Sequence, residues 1–362
     1  MPSQAAAAHA ASRALARLAA ETSRSAPRYS ALAQMAAADP LTVTLLVGVP
    51  PNRLSGGTLW LAALQYVAGQ QWPGGPSLPA VGDATALEAY REFVRHHQAR
   101  LEYLIRTRQV QVNDVTTSAV VTRCLQELSR DWPIVLCEFG CGAGALLRLD
   151  QYRYRFEAPD GAVEFGGGST TPVIACQLAG GEDIATIRSW RQPAIAWRRG
   201  IDLIVPRFDD DERRWLLSCL PIDHVGRREM LNGVLAELAS DPVEIVRGDA
   251  VDLGPIVAAE APSEAHLVIL TAGLMHSLGS RHREFARELI ALSSRRAVSW
   301  IAVEPDARTT RQALAACGVV ASGAHPVPAG DILVAMATLS DGHARLVGSG
   351  TTRREPRMIS FR

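Results

Sequence analysis

The sequence predicts a two-domain α/β protein, in which a helical domain precedes a larger domain built around a parallel sheet. Its 362 residues suit two medium-sized domains or one large one. Up to residue 131 the apolar residues recur at helical spacing, and beyond it short apolar runs alternate with helical stretches. Such alternation is typical of βαβ units. We therefore predict domains at 1–131 and 132–362.

The composition excludes several classes of function. The formal net charge is zero and no long run of one sign occurs, which argues against nucleic acid and membranes as partners. The chain has no lysine, so Schiff-base chemistry and lysine general bases are excluded. The six cysteines lack zinc-ligand spacing, and neither a signal peptide nor a membrane-length apolar stretch is evident. We expect a cytoplasmic bacterial protein without a metal site.

The first domain is predicted to be a helical bundle. A stretch rich in proline and glycine, Trp72–Asp83, predicts a loop within it. The predicted helices are Ala5–Thr22, Tyr29–Ala37, Leu41–Val47, Leu59–Ala68, a long helix Thr85–Arg106, and Thr117–Arg130.

The second domain is predicted to be a Rossmann-like sheet with an insertion. Ile134–Phe139, bounded by Pro133 and Gly140, has the pattern of a buried parallel strand. Tyr152–Leu178 alternates and contains glycine turns, which predicts an antiparallel β-hairpin insertion at about 152–198. Further strands are predicted at Gly200–Val205, Val243–Val246, His266–Leu270 and Ala297–Val303, helices at Asp210–Leu220, Arg227–Ala239, Arg281–Leu292 and Thr309–Cys317, and a closing antiparallel pair at Asp331–Met336 and His343–Gly348.

A glycine-spaced loop follows the first predicted strand. Glu138 is followed by Gly140, Gly142 and Gly144, and glycine suits a turn that needs positive φ or close approach of backbone to a ligand at a helix N-terminus. The form E-x-G-x-G-x-G resembles the first motif of class I S-adenosylmethionine-dependent methyltransferases. Ala145 would also suit the dinucleotide motif G-x-G-x-x-A, so a nicotinamide cofactor stays open. The structural alternative is a turn that packs helix on strand.

The methyltransferase resemblance implies a set of cofactor contacts with S-adenosylmethionine or S-adenosylhomocysteine. Glu138 would lie near the ammonium group, with the glycine loop beneath the methionine part. Asp202, in the second strand, matches the acid at the strand end that accepts hydrogen bonds from the ribose hydroxyls, although about 60 residues separate it from the loop where about 20 are usual. Asp249, with Ala250, would contact the adenine, unless Asp249 is a turn or capping residue. Thr271 follows the fourth strand, at the edge where open parallel sheets bind ligands.

Other side chains are candidates for catalysis or substrate binding. His276 is the best candidate for a general base because its ordinary pKa is near neutrality, although a lone histidine is more often structural. Asn113 and Asp114 could hold a substrate, with Asp114 doing acid–base work, or could cap the helix from Thr117. Tyr154 is a candidate substrate contact, although its alternation with Tyr152 favours a core role.

Two segments carry a second resemblance. Val112–Thr117 is similar to a T-N-E-x-x-R box and Glu138–Tyr154 to an E-x-G-x-S-A-G-L-N-L-x-x-D-x-Y-x-Y box, both found in a bacterial family of unknown function that is widespread in actinobacteria (DUF2332). Among the departures from these boxes, Asp114, Thr117, Gly142 and Leu146 stand where the family has Glu, Arg, Ser and Asn. The departures imply a substrate different from the usual one of the family.

Three functional hypotheses follow. The first is transfer of a methyl group from S-adenosylmethionine to a small molecule, with the helical domain and hairpin choosing the acceptor. The second is a binding or regulatory protein that keeps the pocket without transfer. The third is other chemistry in the same pocket, using Asp114, His276 or Cys141. The oligomeric state stays open, with a homodimer among the alternatives.

Overall fold

A computed structural model describes residues 4–47, 49, 56–69, 84–128, 133–167, 173–179, 181–319, 327–328, 330–354 and 357–361. The chain forms two compact units. The first comprises Met1–Asn113 and Asp209–Asn232, and the second comprises Asp114–Phe208 and Gly233–Arg362. The division therefore differs from the predicted boundary at 131/132, because residues from Asp114 onward group with the sheet and 209–232 group with the helices.

The secondary structure alternates between helices and strands after the first seven helices. The α-helices are α1 Gln4–Thr22, α2 Pro27–Ala38, α3 Pro40–Val47, α4 Gly56–Ala68, α5 Ala84–His96, α6 Gln98–Thr107, α7 Thr117–Leu125, α8 Ile184–Ser189, α9 Asp210–Ser218, α10 Val225–Ser240, α11 Ala250–Ala259, α12 Met275–Leu278, α13 His282–Ser293 and α14 Ala307–Ala316. The strands are β1 Ile134–Phe139, β2 Arg153–Ala158, β3 Gly161–Gly166, β4 Ile174–Leu178, β5 Ile195–Asp202, β6 Ile245–Arg247, β7 His266–Ala272, β8 Val298–Glu304, β9 Ile332–Ser340, β10 His343–Arg354 and β11 Arg357–Phe361. Short 3-10 segments occupy Ala145–Gln151 and Gly279–Arg281.

The first unit is a helical assembly around an apolar core. Leu, Ala and aromatic side chains of α1, α2, α4 and α6 fill this core, together with Trp215 and Cys219 from the segment 209–232. The rings of Tyr66 and Trp215 pack edge to face, with centroids 5.8 Å apart. The predicted long helix Thr85–Arg106 is wrong in one respect: it breaks at His97, where φ is −104° and ψ is 13°.

The second unit is built on one large sheet. In the described residues eleven strands take the order β3-β2-β4-β11-β10-β9-β8-β7-β1-β5-β6. β8, β7, β1, β5 and β6 run parallel to one another, and β9 joins β8 in the antiparallel direction. Counted along the chain, the parallel half has the order 3-2-1-4-5 of doubly wound sheets. The order reverses between β1 and β7, and ligands of such sheets bind at that switch point.

Burial explains why the central strands form where they do. All six residues of β1 and all seven of β8 are buried, as expected for strands with helices on both faces. Apolar side chains of α11, α13 and α14 pack against β1, β7 and β8 to form one core. The predicted bounds of β1 coincide with the observed ones.

The insertion and the end of the chain differ from prediction. β2 and β3 form the predicted antiparallel hairpin, but β4 runs parallel to both β2 and β11. β11 was not predicted; it lies between β4 and β10 and so joins the insertion to the rest of the sheet. Helices α8 and α11 were also not predicted. The predicted loop Trp72–Asp83 lies outside the described residues, as do parts of the glycine turn at 166–168.

Across the described residues, no single helix combines the length and apolar character needed to span a membrane. The bent pair α2 and α3 meets both criteria only when the two helices are taken together, with an angle of 84° between them.

Candidate functional site

The glycine loop between β1 and the next segment has the backbone geometry that requires glycine. Gly140, Gly142 and Gly144 have φ values of +76°, +56° and +78°, in the left-handed region that other residues avoid. Space is also restricted: a Cβ on Gly144 would lie 2.4 Å from Cγ2 of Val243, and one on Gly140 would lie 3.1 Å from Cδ1 of Leu274. Both the positive φ angles and the lack of space for a Cβ therefore favour glycine in this loop.

The N–H groups of the loop bond to the protein itself. Gly140 donates to the Ile201 carbonyl at 2.8 Å, Gly142 to the Asp202 carboxylate at 2.8 Å, and Gly144 to the Cys141 carbonyl at 2.8 Å. The segment after the loop is a seven-residue 3-10 turn, Ala145–Gln151, and not the start of an α-helix. The loop therefore lacks the array of free N–H groups at a helix N-terminus that binds phosphate.

Glu138 lies on β1, just before the loop, and is 2% exposed. Within the described part of the chain, its Oε2 atom is buried and has no hydrogen-bond partner. Burial raises the pKa of this carboxyl well above its ordinary value, and the nearby negative charge of Asp202 raises it further. A buried acceptor without a donor is rare in folded proteins and marks a place where a ligand donor would bind favourably.

Asp202 ends β5, beside the loop. Its Oδ2 atom accepts the N–H of Gly142 and its Oδ1 atom accepts the N–H of Ile204 at 3.0 Å. The insertion between β1 and β5 accounts for the long separation in sequence. Asp202 thus contacts the glycine loop, because β1 and β5 are neighbouring parallel strands that end at the same edge of the sheet. Its ribose contact stays a prediction.

The segment after β7 faces the other side of the loop. Thr271 is fully buried, and its hydroxyl accepts the indole N–H of Trp300 at 3.1 Å. Thr271 also pairs with Phe139 of β1 and Ala302 of β8, and its predicted cofactor contact stays a prediction. Glu304, at the end of β8, accepts the N–H groups of Leu274 and Met275, both at 3.1 Å.

His276 lies in the short helix α12 and has an exposed side chain. Desolvation of its ring lowers the pKa, and the neighbouring Asp306 carboxylate opposes this shift. The ring is therefore neutral near pH 7 and able to accept a proton. This is the protonation state that the predicted general base needs, and the catalytic role stays a prediction.

Asp249 and Ala250 begin α11. The Asp249 side chain caps this helix by accepting the Val251 N–H at 2.8 Å, and it forms an ion pair with Arg281 at 2.8 Å. Ala250 is buried at the first helical position. The structure thus gives Asp249 the capping function that the sequence left as an alternative to adenine binding.

Asp114 forms a buried ion pair with Arg357 of β11. Arg357 Nη2 lies 2.6 Å from Asp114 Oδ2, and the Thr116 hydroxyl donates to Asp114 Oδ1 at 2.6 Å. The Arg357 guanidinium also lies 3.5 Å from the hydroxyl of Thr117, the position where the resembled box has arginine. Asp114 therefore has a structural partner, and its catalytic role stays a prediction. Asn113 is buried, and its amide donates to the Gln111 carbonyl at 3.3 Å.

Tyr152 and Tyr154 are fully buried and support the segment that follows the loop. The Tyr152 hydroxyl donates to the Ala145 carbonyl at 2.6 Å, and the Tyr154 hydroxyl donates to the Leu149 carbonyl. This placement agrees with the predicted core role of the pair. A substrate contact by Tyr154 would require its buried hydroxyl to change partners.

The structure brings together Glu138, the glycine loop and Asp202, and it adds Leu274 and Glu304, which sequence reasoning missed. A signal existed for Glu304. It ends a mainly apolar strand, Val298–Glu304, in the same way that Glu138 lies near the end of the apolar run of β1. An acid in such a run is worth notice because charged groups are seldom fully buried without a specific role.

A cavity formed by described residues lies elsewhere. It is a depression of about 340 Å³ on the first unit, lined by alanines of α1 and α2 and by Gln34. Its lining has no titratable side chain, so it offers no chemistry.

Comparison with known proteins identifies the family of this chain. No curated protein matches the chain. A crystal structure from Listeria monocytogenes, described as that of a candidate class I S-adenosylmethionine-dependent methyltransferase, shares 9% identity over 86% of this chain and 79% of that chain, with a TM-score of 0.27. A likeness this weak carries no argument. The family described as uncharacterized protein conserved in bacteria (DUF2332) matches residues 3–347. The chain therefore belongs to the DUF2332 family.

Proposed function

We propose that this chain binds S-adenosylmethionine at the carboxyl edge of its parallel sheet and transfers the methyl group to a small molecule. The position of the glycine loop supports the proposal. The loop follows β1 at the point where the strand order reverses between β1 and β7, and open α/β sheets bind ligands in the crevice at that point.

The observation that carries the proposal is the unpartnered Oε2 atom of Glu138. Burying a carboxylate oxygen without a donor is unfavourable, and a ligand cation at this position would remove the penalty. S-adenosylmethionine has an ammonium group and a sulfonium group. The negative charge of Asp202 near Glu138 also favours a cation, and a bound cation would stabilise the charged form of Glu138, which burial and Asp202 disfavour.

The same features argue against the dinucleotide alternative. A pyrophosphate needs free backbone N–H groups and the N-terminus of a helix. Here the N–H groups of Gly140, Gly142 and Gly144 have protein partners, and a short 3-10 turn follows. The Asp202 carboxylate would also repel a phosphate. A cationic adenosyl ligand fits these residues better than a nicotinamide dinucleotide.

The residues of the site would have separate roles. When bound, the cofactor supplies an electrophilic sulfonium methyl group. Glu138 would hold the ammonium group, and Asp202 would accept the ribose hydroxyls while it closes the glycine loop. Acceleration would come mainly from holding acceptor and methyl group in line. His276, neutral near pH 7, would remove a proton from an acceptor that binds in its protonated form.

Calorimetric titration tests this function. We expect the purified protein to bind S-adenosylmethionine and S-adenosylhomocysteine, and to bind NAD far more weakly. Glu264→Gln is a matched control, because Glu264 is exposed and precedes the amino end of β7. Folded protein that binds neither adenosyl ligand would remove the proposal. Transfer of a labelled methyl group to components of a small-molecule extract would separate an enzyme from a protein that only binds.

A further inference from the structure

A buried carboxylate holds the segment that follows β7. Glu304 is 0% exposed, and its two oxygens accept the N–H groups of Leu274 and Met275. The N–H of Gly273 donates to the Val303 carbonyl at 3.1 Å. Three hydrogen bonds therefore tie residues 273–275 to the end of β8.

Residues 273–275, the held segment, contact the glycine loop. The Cδ1 atom of Leu274 lies 3.1 Å from the position that a Cβ would occupy on Gly140, and the Cβ atom of Leu274 lies 3.4 Å from it. These distances mean that Leu274 covers one side of Gly140. His276 follows two residues later on the same segment, so a shift of the segment would move both side chains.

Burial of the Glu304 carboxylate is unfavourable because it removes the charged form from water. Its hydrogen-bond partners are neutral backbone N–H groups, those of Leu274 and Met275, and the nearby Thr271 hydroxyl and Gly273 N–H also favour its charged form. Burial raises the pKa of Glu304 to about 7, because these bonds compensate only part of the desolvation of the charged form. A buried carboxylate stabilised in this way does more for the local geometry of its partners than for global stability.

We propose that Glu304 is a positioning residue, which holds residues 273–276 against the glycine loop so that Leu274 forms an apolar wall beside Gly140 and His276 stands at the carboxyl edge of the sheet. The effect on ligand affinity rests on the function proposed above. The held segment itself is a property of the ligand-free protein, so the two ideas can fail separately.

Hydrogen exchange of the ligand-free protein is the test. In Glu304→Gln one acceptor oxygen becomes an amide donor that faces a backbone N–H. We expect exchange of residues 273–278 to be faster by about tenfold at pH 8, as expected for loss of a charge-assisted hydrogen bond, with residues 134–139 of β1 unchanged. Glu264→Gln is the control and should match wild type. Unchanged exchange in folded Glu304→Gln would overturn the proposal.

A pH series on the wild-type protein gives the same test if Glu304→Gln does not fold. After correction for intrinsic exchange, protection of residues 273–278 relative to 134–139 should fall as the pH is lowered through about 7, because Glu304 stays buried when this segment opens locally and its charged form accepts the stronger hydrogen bonds. Other titratable groups near the segment are His276, Asp306 and Glu138, so the series is repeated in His276→Gln and Glu138→Gln. A flat profile in wild type, or a profile abolished by either variant, would refute the proposal.

Ligand affinity is measured separately. We expect Glu304→Gln to bind S-adenosylhomocysteine more weakly than wild type, because Leu274 is no longer held beside Gly140. If wild type does not bind this ligand, the proposed function fails while the exchange result still decides the role of Glu304.

Discussion

The Oδ2 atom of Asp202 accepts the backbone N–H of Gly142 at 2.8 Å, although the two residues are 60 positions apart in the chain. This bond joins the end of β5 to the loop after β1 and places a second carboxylate near Glu138. We expect Asp202→Asn to lower both stability and affinity for S-adenosylhomocysteine, because the amide is a weaker acceptor and has no charge. Thermal unfolding and calorimetry on the same samples measure the two effects.

Asp183→Asn is the matched control for that variant. Asp183 also accepts a backbone N–H, that of Thr186 at 2.7 Å, but it does so at the exposed start of α8. It should lose some stability and no ligand affinity. Equal loss of affinity in both variants would contradict a role for Asp202 at the site.

Gly144 is predicted to be intolerant of any side chain. Gly144→Ala adds strain at φ +78° and a contact 2.4 Å from Val243, so we expect destabilisation of about 3 kcal/mol or more. Gly342→Ala has a similar φ of +75° with nothing within 4 Å, and should lose only about 1–2 kcal/mol. Denaturant titration measures both. Because Val243→Ala removes the clashing methyl, the double variant should recover part of the difference, and no recovery would show that packing is not the cause.

The Asp114–Arg357 pair is predicted to be structural. Each side chain is nearly buried, so Arg357→Met should destabilise the protein by about 3–5 kcal/mol through an unpaired buried carboxylate. Asp114→Leu combined with Arg357→Met should be less destabilised than the sum of the single changes. If the double variant is stable but has lost methyl transfer that Arg357→Met retains, Asp114 acts in catalysis as the sequence first indicated.

Stability should depend on pH through Glu304. Its folded pKa of about 7 lies above its ordinary value of 4.5, so the folded state binds more protons between these values. Its contribution to stability is therefore complete below about pH 4.5 and is lost as the pH rises through about 7. We expect the midpoint of thermal unfolding to fall between pH 5 and pH 8 in wild type and to fall less in Glu304→Gln. Equal slopes would contradict the raised pKa.

The sequence predicted the elements whose pattern is local. β1 has the predicted bounds because Pro133 and Gly140 delimit an apolar run of the length that suits a buried strand. β11 was missed because five residues at the end of the chain, Arg357–Phe361, are stabilised by pairing with strands far away in sequence, β10 and β4. The break at His97 was missed because neither proline nor glycine marks it.

In the candidate site, too, features with a local sequence pattern were predicted and those that depend on distant residues were not. Gly140, Gly142 and Gly144 could be recognised from their spacing alone. That Glu138 lacks a partner while Asp114 and Asp249 have them depends on Arg357 and Arg281, which lie far from these acids in the chain. Such long-range pairing has no signature in a single sequence.

The contact between Glu138 and a ligand ammonium group is tested most directly by comparing two ligands on two proteins. S-adenosylhomocysteine has the amino acid part, and 5′-methylthioadenosine lacks it. We predict that Glu138→Gln weakens binding of S-adenosylhomocysteine by about tenfold or more, as for loss of a charged hydrogen bond, and leaves the affinity for methylthioadenosine unchanged. An equal affinity of wild type and Glu138→Gln for S-adenosylhomocysteine would contradict the account.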